Sequence, residues 1–361
     1  MLSINNHKMV LHALIIFAVL SMPATAVASD GLKPVPTGVP SPEYNPTTKG
    51  KVELGRKLFF DRRLSGDGTM SCSSCHLPEA GFSDNLPISL NYPTTRNWRN
   101  SPTLINVAYT TSLFHDGRAS TLEEQALFPM MSAFEMNQNL DYLEEEIREV
   151  PEYVEAFREV FKGEGISRER IAMAISAFER TLISRNSPLD LYLKGNTKAL
   201  SSAAKKGLKL FTGKAGCSGC HNGVNLSDGS FHNLQVPDNE LVTSDPRTLI
   251  TVRFVAKVSG YEAYETLKED PGRYLVTRKQ ADWKAFRTPS LRDISRTAPY
   301  MHNGSMSTLT EVVEFINAGG GEGNSELKPL KLSNDEIKSI VAFLTEALTG
   351  DEIVVEYPEI P

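Results

Sequence analysis

Cys72-Ser73-Ser74-Cys75-His76 and Cys217-Ser218-Gly219-Cys220-His221 repeat one five-residue pattern, CxxCH, and all four cysteines of the chain lie inside these two copies. The pattern is the attachment site of a c-type haem. Two thiols bond to the porphyrin vinyl groups, and the adjoining histidine supplies an axial nitrogen to the iron. A tetrahedral zinc site needs four thiolate or imidazole ligands, whereas each motif offers three. A thioredoxin-like CxxC does not need the histidine. The chain is therefore read as carrying two covalently bound haem c groups.

The first 28 residues read as a secretory signal, with Lys8 ahead of an apolar run from Val10 to Met22 and an A-x-A site at Ala26-Val27-Ala28. A membrane anchor needs about 20 apolar residues, and Pro23 breaks this run too early. Export to the periplasm with cleavage near Ala28 is expected, with no membrane association afterwards. Loss of this segment removes one lysine and no acid, moving the net charge from −6 to −7. An acidic surface argues against nucleic acid and suits an exported protein that meets a basic partner.

Residues 29–50 are rich in Pro, Gly, Ser and Thr and read as an extended leader. An internal echo follows. Gly55-Arg56-Lys57-Leu58-Phe59 precedes the first CxxCH, and Gly207-Leu208-Lys209-Leu210-Phe211 precedes the second. That is the pattern of one haem-binding unit duplicated. Helical periodicity is the strongest other signal. Ser167 caps a predicted helix with Ile171, Ala174, Ile175, Phe178 and Leu182 on one face, and Ser333 with Glu336 forms a capping box before another. Two further helices are expected over Leu140–Val150 and Pro151–Phe161. The expected fold is mainly α, with two cytochrome c-like haem domains at 51–190 and 191–350 joined near Arg185–Ala199. Residues 222–300 read as long irregular loops serving a cofactor or partner, and the acidic tail 351–361 as a solvated end.

Two polar residues between the motifs invite a chemical role. Gln125 follows Thr121-Leu122-Glu123-Glu124, and Glu135 stands between Phe134 and Met136. A carboxylate among apolar groups is costly unless it has a partner or a task, and such a group suits proton transfer. On placement alone, a solvated glutamate at a helix end is the simpler reading.

His115-Asp116-Gly117-Arg118-Ala119, Arg99-Asn100-Ser101-Pro102-Thr103 and Thr297-Ala298-Pro299-Tyr300-Met301-His302-Asn303-Gly304, taken with the two CxxCH sites, resemble the bacterial di-haem cytochrome c peroxidases. They are equally similar to the MauG-type enzymes, which mature a protein-derived quinone. The resemblance runs from Gly55 to Leu348. It implies that His76 is the proximal ligand of a peroxide-reacting haem, with Glu135 as acid–base carboxylate and Gln125 beside it. By the same resemblance, His221 is the proximal ligand of a second, electron-relaying haem. Asn100 and the carbonyls of Thr297 and Pro299 resemble calcium ligands between the domains, an oxygen set that suits Ca²⁺.

Three positions depart from that pattern. His115 stands where the family has a tryptophan between the haems; an imidazole is less readily oxidised and can titrate. Ile316, fourteen residues after His302, replaces the methionine of the peroxidases or the tyrosine of the MauG-type enzymes and cannot bind iron. Tyr92, sixteen residues after His76, replaces the histidine that caps the first haem at rest in many peroxidases. His232 is read as a polar contact to a haem edge rather than a ligand. The expected activity is reduction of hydrogen peroxide with electrons from a cytochrome c or cupredoxin. Beside it stands MauG-type oxidation of Trp or Tyr side chains in a partner protein. A non-catalytic electron carrier, which needs no Glu135 pocket, is the reading from another class. Either a monomer or a homodimer is compatible with these features.

Overall fold

The computed structural model describes residues 31–91 and 96–361. The predicted export signal and Tyr92 lie outside the described residues. In chain order the helices are α1 (Lys49–Phe60), α2 (Leu122–Met131), α3 (Leu140–Arg148), α4 (Pro151–Val160), α5 (Arg168–Glu179) and α6 (Pro188–Leu193). They continue as α7 (Ser202–Thr212), α8 (Glu240–Thr243), α9 (Pro246–Val258), α10 (Tyr274–Thr277), α11 (Leu309–Ala318) and α12 (Asn334–Ala342). The only described sheet is a two-residue antiparallel pair, β1 (Phe231–His232) and β2 (Phe286–Arg287). The fold is thus mainly helical. No described helix is long and apolar enough to cross a membrane.

The helix starts follow local chemistry. Thr48, Ser167, Ser201 and Ser333 each accept a bond from a first-turn N–H, satisfying a donor that the helix leaves free. The predicted capping box of Ser333 and Glu336 forms. The helices expected at 140–150 and 151–161 occur within one or two residues of those bounds.

The G-x-K-L-F echo has a geometric cause. Where α1 crosses α5, a Cβ on Gly55 would sit 1.8 Å from the Ala174 carbonyl oxygen. Where α7 crosses α12, a Cβ on Gly207 would sit 2.0 Å from the Ser339 carbonyl oxygen. Each glycine lets two helices touch backbone to backbone, and the phenylalanine four residues later fills the core beneath. Phe59 joins Leu58, Ile171, Ile175 and Phe178 in one apolar core, while Phe211 joins Leu309, Ile337, Ile340 and Phe343 in another.

A third, smaller core was not foreseen. It is built by Ile88, Trp98, Val252, Ala256, Leu267 and Leu275. Its helix, α9, lies inside the stretch expected to be irregular, capped by Asp245 with Pro246 in the first turn. The leader also does more than extend. Leu32 enters the second core, and Asn45 bonds the Glu123 carboxylate at 2.5 Å on the first.

The C-terminal tail is not a solvated end. Ile353, Val355 and Ile360 pack against the first core, and the Tyr357 ring lies 4.8 Å from that of Phe60. Arg63 donates to the Pro361 carbonyl at 2.5 Å. Apolar residues interspersed among the acids give the tail a face to bury, and that outweighs its charge.

Candidate functional site

Both CxxCH segments form the same short turn. The N–H groups of Cys75 and His76 bond the Cys72 carbonyl at 3.2 and 3.1 Å, and those of Cys220 and His221 bond the Cys217 carbonyl at 3.3 and 2.9 Å. Each histidine then donates its Nδ1–H to a backbone carbonyl: His76 to Phe82 at 3.0 Å and His221 to Leu226 at 2.9 Å. Phe82 and Leu226 are fully buried and both adopt a left-handed backbone conformation, so the carbonyls are fixed. Burial lowers both imidazole pKa values and keeps the rings neutral. With Nδ1 engaged, Nε2 is the nitrogen that can bind iron.

No disulfide joins the four cysteines. They line one cavity of about 480 Å³ together with His76 and His221. Burial pushes the Cys75 thiol up to about 12 and that of Cys217 to about 11. Among the described residues, buried Asn91 Oδ1 and Nδ2 and Glu179 Oε2 lack hydrogen-bond partners, and both side chains line this cavity. Glu179, on α5, has its pKa raised to about 8 by burial. Cysteines without a disulfide, imidazoles with Nε2 left open, an apolar lining and orphaned polar atoms on the wall fit a covalently held haem at each motif.

Gln125 and Glu135 both line the cavity that also holds His76. Gln125 lies on α2, whose start is fixed by Thr121 accepting from the Glu124 N–H at 3.1 Å. Pro129 near the end of α2 lacks the N–H that would bond the Gln125 carbonyl. The helix stops at Met131, and the Ser132–Met136 turn that follows carries Glu135, half-buried. The turn is anchored on both sides: Met136 is buried, and the Phe134 ring meets Phe254 of α9 edge-on at 5.0 Å. Asn97, which the sequence reading missed, donates Nδ2 to Glu135 Oε1 at 3.1 Å.

His115 lines the cavity but does not titrate near neutrality as expected. Burial and the nearby Arg99 charge push its pKa down to about 4, and Nε2–H donates to the Asn100 carbonyl at 2.9 Å. His302 is likewise held neutral, at about 3, chiefly by burial, and stacks on Phe286 with ring centroids 3.5 Å apart. Beside them sits a buried ion network. Arg99 meets Asp116 at 2.6 Å and Asp270 at 2.6 Å, and Arg118 meets Asp116 at 3.0 Å. Burial opposes the Arg99 charge, but the two carboxylates outweigh it and raise its pKa. Asp270 lies 171 residues from Arg99, which no local motif announces.

Asn100, Thr297 and Pro299 all line the cavity. Asn100 ties their segments together: its N–H donates to the His302 carbonyl at 2.8 Å and its Nδ2 to the Leu86 carbonyl at 2.8 Å. Its Oδ1 has no hydrogen-bond partner among the described residues. On the second motif's side, Ile316 of α11 and Met301 line the cavity. His232 has both ring nitrogens engaged, Nδ1 with Glu326 at 2.7 Å and Nε2 facing Asp228 at 3.5 Å and Cys220 Sγ at 3.6 Å. That is a contact at the attachment edge.

Residues 49–198 match the family described as di-haem cytochrome c peroxidase. The chain is 44% identical to cytochrome-c peroxidase IdrP2 of Denitromonas iodatirespirans, over 89% of this chain and 87% of that one. It is 36% identical to the methylamine utilization protein MauG of Methylorubrum extorquens, over 90% and 86% of the two. A solved MauG-like protein associated with microbial copper homeostasis has a similar fold, with a TM-score of 0.73 and 32% identity over 88% of this chain and 95% of that one.

Proposed function

The chain belongs to the di-haem cytochrome c peroxidase family and is a haem-dependent oxidoreductase; from that premise we propose that it reduces hydrogen peroxide in the pocket shared by His76, Gln125 and Glu135. A haem held by Cys72, Cys75 and His76 supplies the redox chemistry that peroxide reduction needs. The chain's own residues manage the protons. Glu135 takes a proton from one peroxide oxygen and returns it to the other, while Asn97 fixes the carboxylate through Oε1. Gln125 orients peroxide or a water with its amide. His221, Cys217 and Cys220 would hold a second haem, which would supply one-electron redox chemistry toward a small redox protein, a cytochrome c or cupredoxin.

The single observation that carries this reading is the Asn97–Glu135 hydrogen bond on the cavity that also holds His76 and Gln125, since a simple electron carrier has no use for an oriented carboxylate there. The remaining assignments belong to the same proposal: haem domains at 51–190 and 191–350, export to the periplasm, and a calcium ion held by Asn100 Oδ1 and the carbonyls of Thr297 and Pro299. The first core lies within 51–190, apart from the tail residues packed on it, and most of the second within 191–350, which supports that division. Peroxide-dependent oxidation of reduced cytochrome c by the holoprotein tests the activity. Rapid oxidation supports it. Consumption of peroxide without oxidation of any cytochrome or cupredoxin favours MauG-type modification of a partner protein, a reading supported by the 36% identity to MauG of Methylorubrum extorquens.

A further inference from the structure

Both tryptophans of the chain belong to one apolar cluster. Trp98 belongs to the third apolar core and lines the cavity, and Trp283 packs against that same core. Around Trp283 stand Tyr274 and Tyr261, with ring centroids 5.1 and 6.1 Å from it and 5.8 Å from each other. The Trp283 indole Nε1–H donates to Glu269 Oε1 at 3.2 Å. Glu269 Oε2 pairs with Lys284 Nζ at 3.0 Å, and its side chain keeps 35% exposure, so it can exchange protons with water. Peroxide reduction at Glu135 uses none of these groups.

An indole is the most readily oxidised of the neutral aromatic side chains, and it loses an electron more easily when its N–H proton has an acceptor. Trp283 has that acceptor. The Arg278 guanidinium lies 5.9 Å from the Tyr274 ring centroid and disfavours positive charge on that phenol, whereas the Trp283 indole has a carboxylate to take its proton.

We propose that Trp283 with Glu269 is a redox site through which oxidising equivalents leave the Glu135 pocket for the surface, by way of Trp98. The proposal rests on the reading that peroxide reacts in that pocket. Reduction of one peroxide to two waters takes two electrons and two protons. Trp283 gives one electron, which passes through Trp98 to the pocket, and its Nε1 proton passes to Glu269, leaving a neutral indolyl radical. A one-electron reductant at the exposed edge of the cluster restores the electron, and Glu269 returns the proton. Two such cycles supply the two electrons for one peroxide, and the two protons that complete the waters enter the pocket from solvent through Glu135.

The test uses the ferric holoprotein mixed with one equivalent of hydrogen peroxide and no donor. Samples are frozen for EPR, and a second portion is digested for peptide mass spectrometry. The wild type should show a tryptophan radical and an added oxygen at Trp283. Trp283→Phe should lose both, Trp283→Tyr should replace the tryptophan signal with a tyrosyl one, and Glu269→Gln should weaken the neutral radical by about tenfold or more. Peroxide consumed with no radical or added oxygen at Trp283 in the wild type overturns this proposal alone, as does an unchanged signal in Trp283→Phe. Peroxide left unconsumed overturns the pocket reading and this proposal with it.

Discussion

Asn97 holds Glu135: its Nδ2 donates to the carboxylate Oε1 at 3.1 Å while its Oδ1 accepts from the Trp98 N–H at 2.8 Å. The second bond settles the orientation of the amide, because only the oxygen can accept from a backbone N–H. The nitrogen is thereby left facing the carboxylate, on a turn otherwise fixed by Met136 and the Phe134–Phe254 ring contact. Replacing Asn97 by Ala should lower peroxide turnover about 10–100-fold, the usual effect of removing a group that orients a reacting side chain. Haem content and the positions of the absorption bands should not change. Asn97→Asp should be worse, since it sets a second carboxylate against the first.

The two helix-crossing glycines give a stability prediction. Gly55→Ala and Gly207→Ala each force a methyl group into a backbone carbonyl, at 1.8 and 2.0 Å. Separating the helices should cost about 1–3 kcal/mol or more in either half. Thermal unfolding of each variant should show a Tm lower by several degrees, and Gly165→Ala, where an added Cβ meets nothing within 4 Å and the backbone is not left-handed, should not.

The buried histidines set an acid limb of stability. His115 and His302 have folded pKa values of about 4 and about 3, against about 6.5 in an unfolded chain. Below 6.5 the unfolded chain therefore binds protons that the native protein refuses. Stability should fall as pH drops from 6.5 toward the folded values, and level off beneath them. Urea midpoints measured between pH 7 and pH 4 should decline, and His115→Gln should make that decline shallower.

Deleting residues 351–361 should weaken the first half of the molecule rather than the second. The tail contributes Ile353, Val355 and Ile360 to the first core and the Tyr357 contact on Phe60. A loss of about 1–3 kcal/mol is expected from exposing that apolar surface. Hydrogen exchange should speed up in α1 and leave α12 unchanged.

What could be read from the sequence was local. Each CxxCH occupies five consecutive residues, and the caps at Ser167 and Ser333 act within one turn, so the spacing alone announces them. The G-x-K-L-F echo was visible, although its cause, two backbone crossings, is not written in either segment. Helix α9 carried start signals at Asp245 and Pro246, but Thr248, Ile250, Thr251, Val252, Val255 and Val258 are β-branched and weak helix formers, so packing decides the outcome. The site divides in the same way. Glu135 and Gln125 lie ten residues apart and could be paired by resemblance. Asn97 with Glu135, and Arg99 with Asp270, are joined only by the folded chain. The titration expected of His115 failed because its pKa depends on Arg99 and burial, which are tertiary properties.

The central claim is that Glu135 moves the proton when peroxide reacts in the His76 pocket. Stopped-flow mixing of peroxide with the ferric holoprotein, in wild type and Glu135→Gln, tests it most directly. Glutamine keeps the shape and can still meet Asn97, but it cannot exchange a proton. The reaction with peroxide should slow by about 10²–10⁴-fold with both haems still attached. A rate within about twofold of wild type would contradict the assignment, because proton transfer by such a group is worth far more than that.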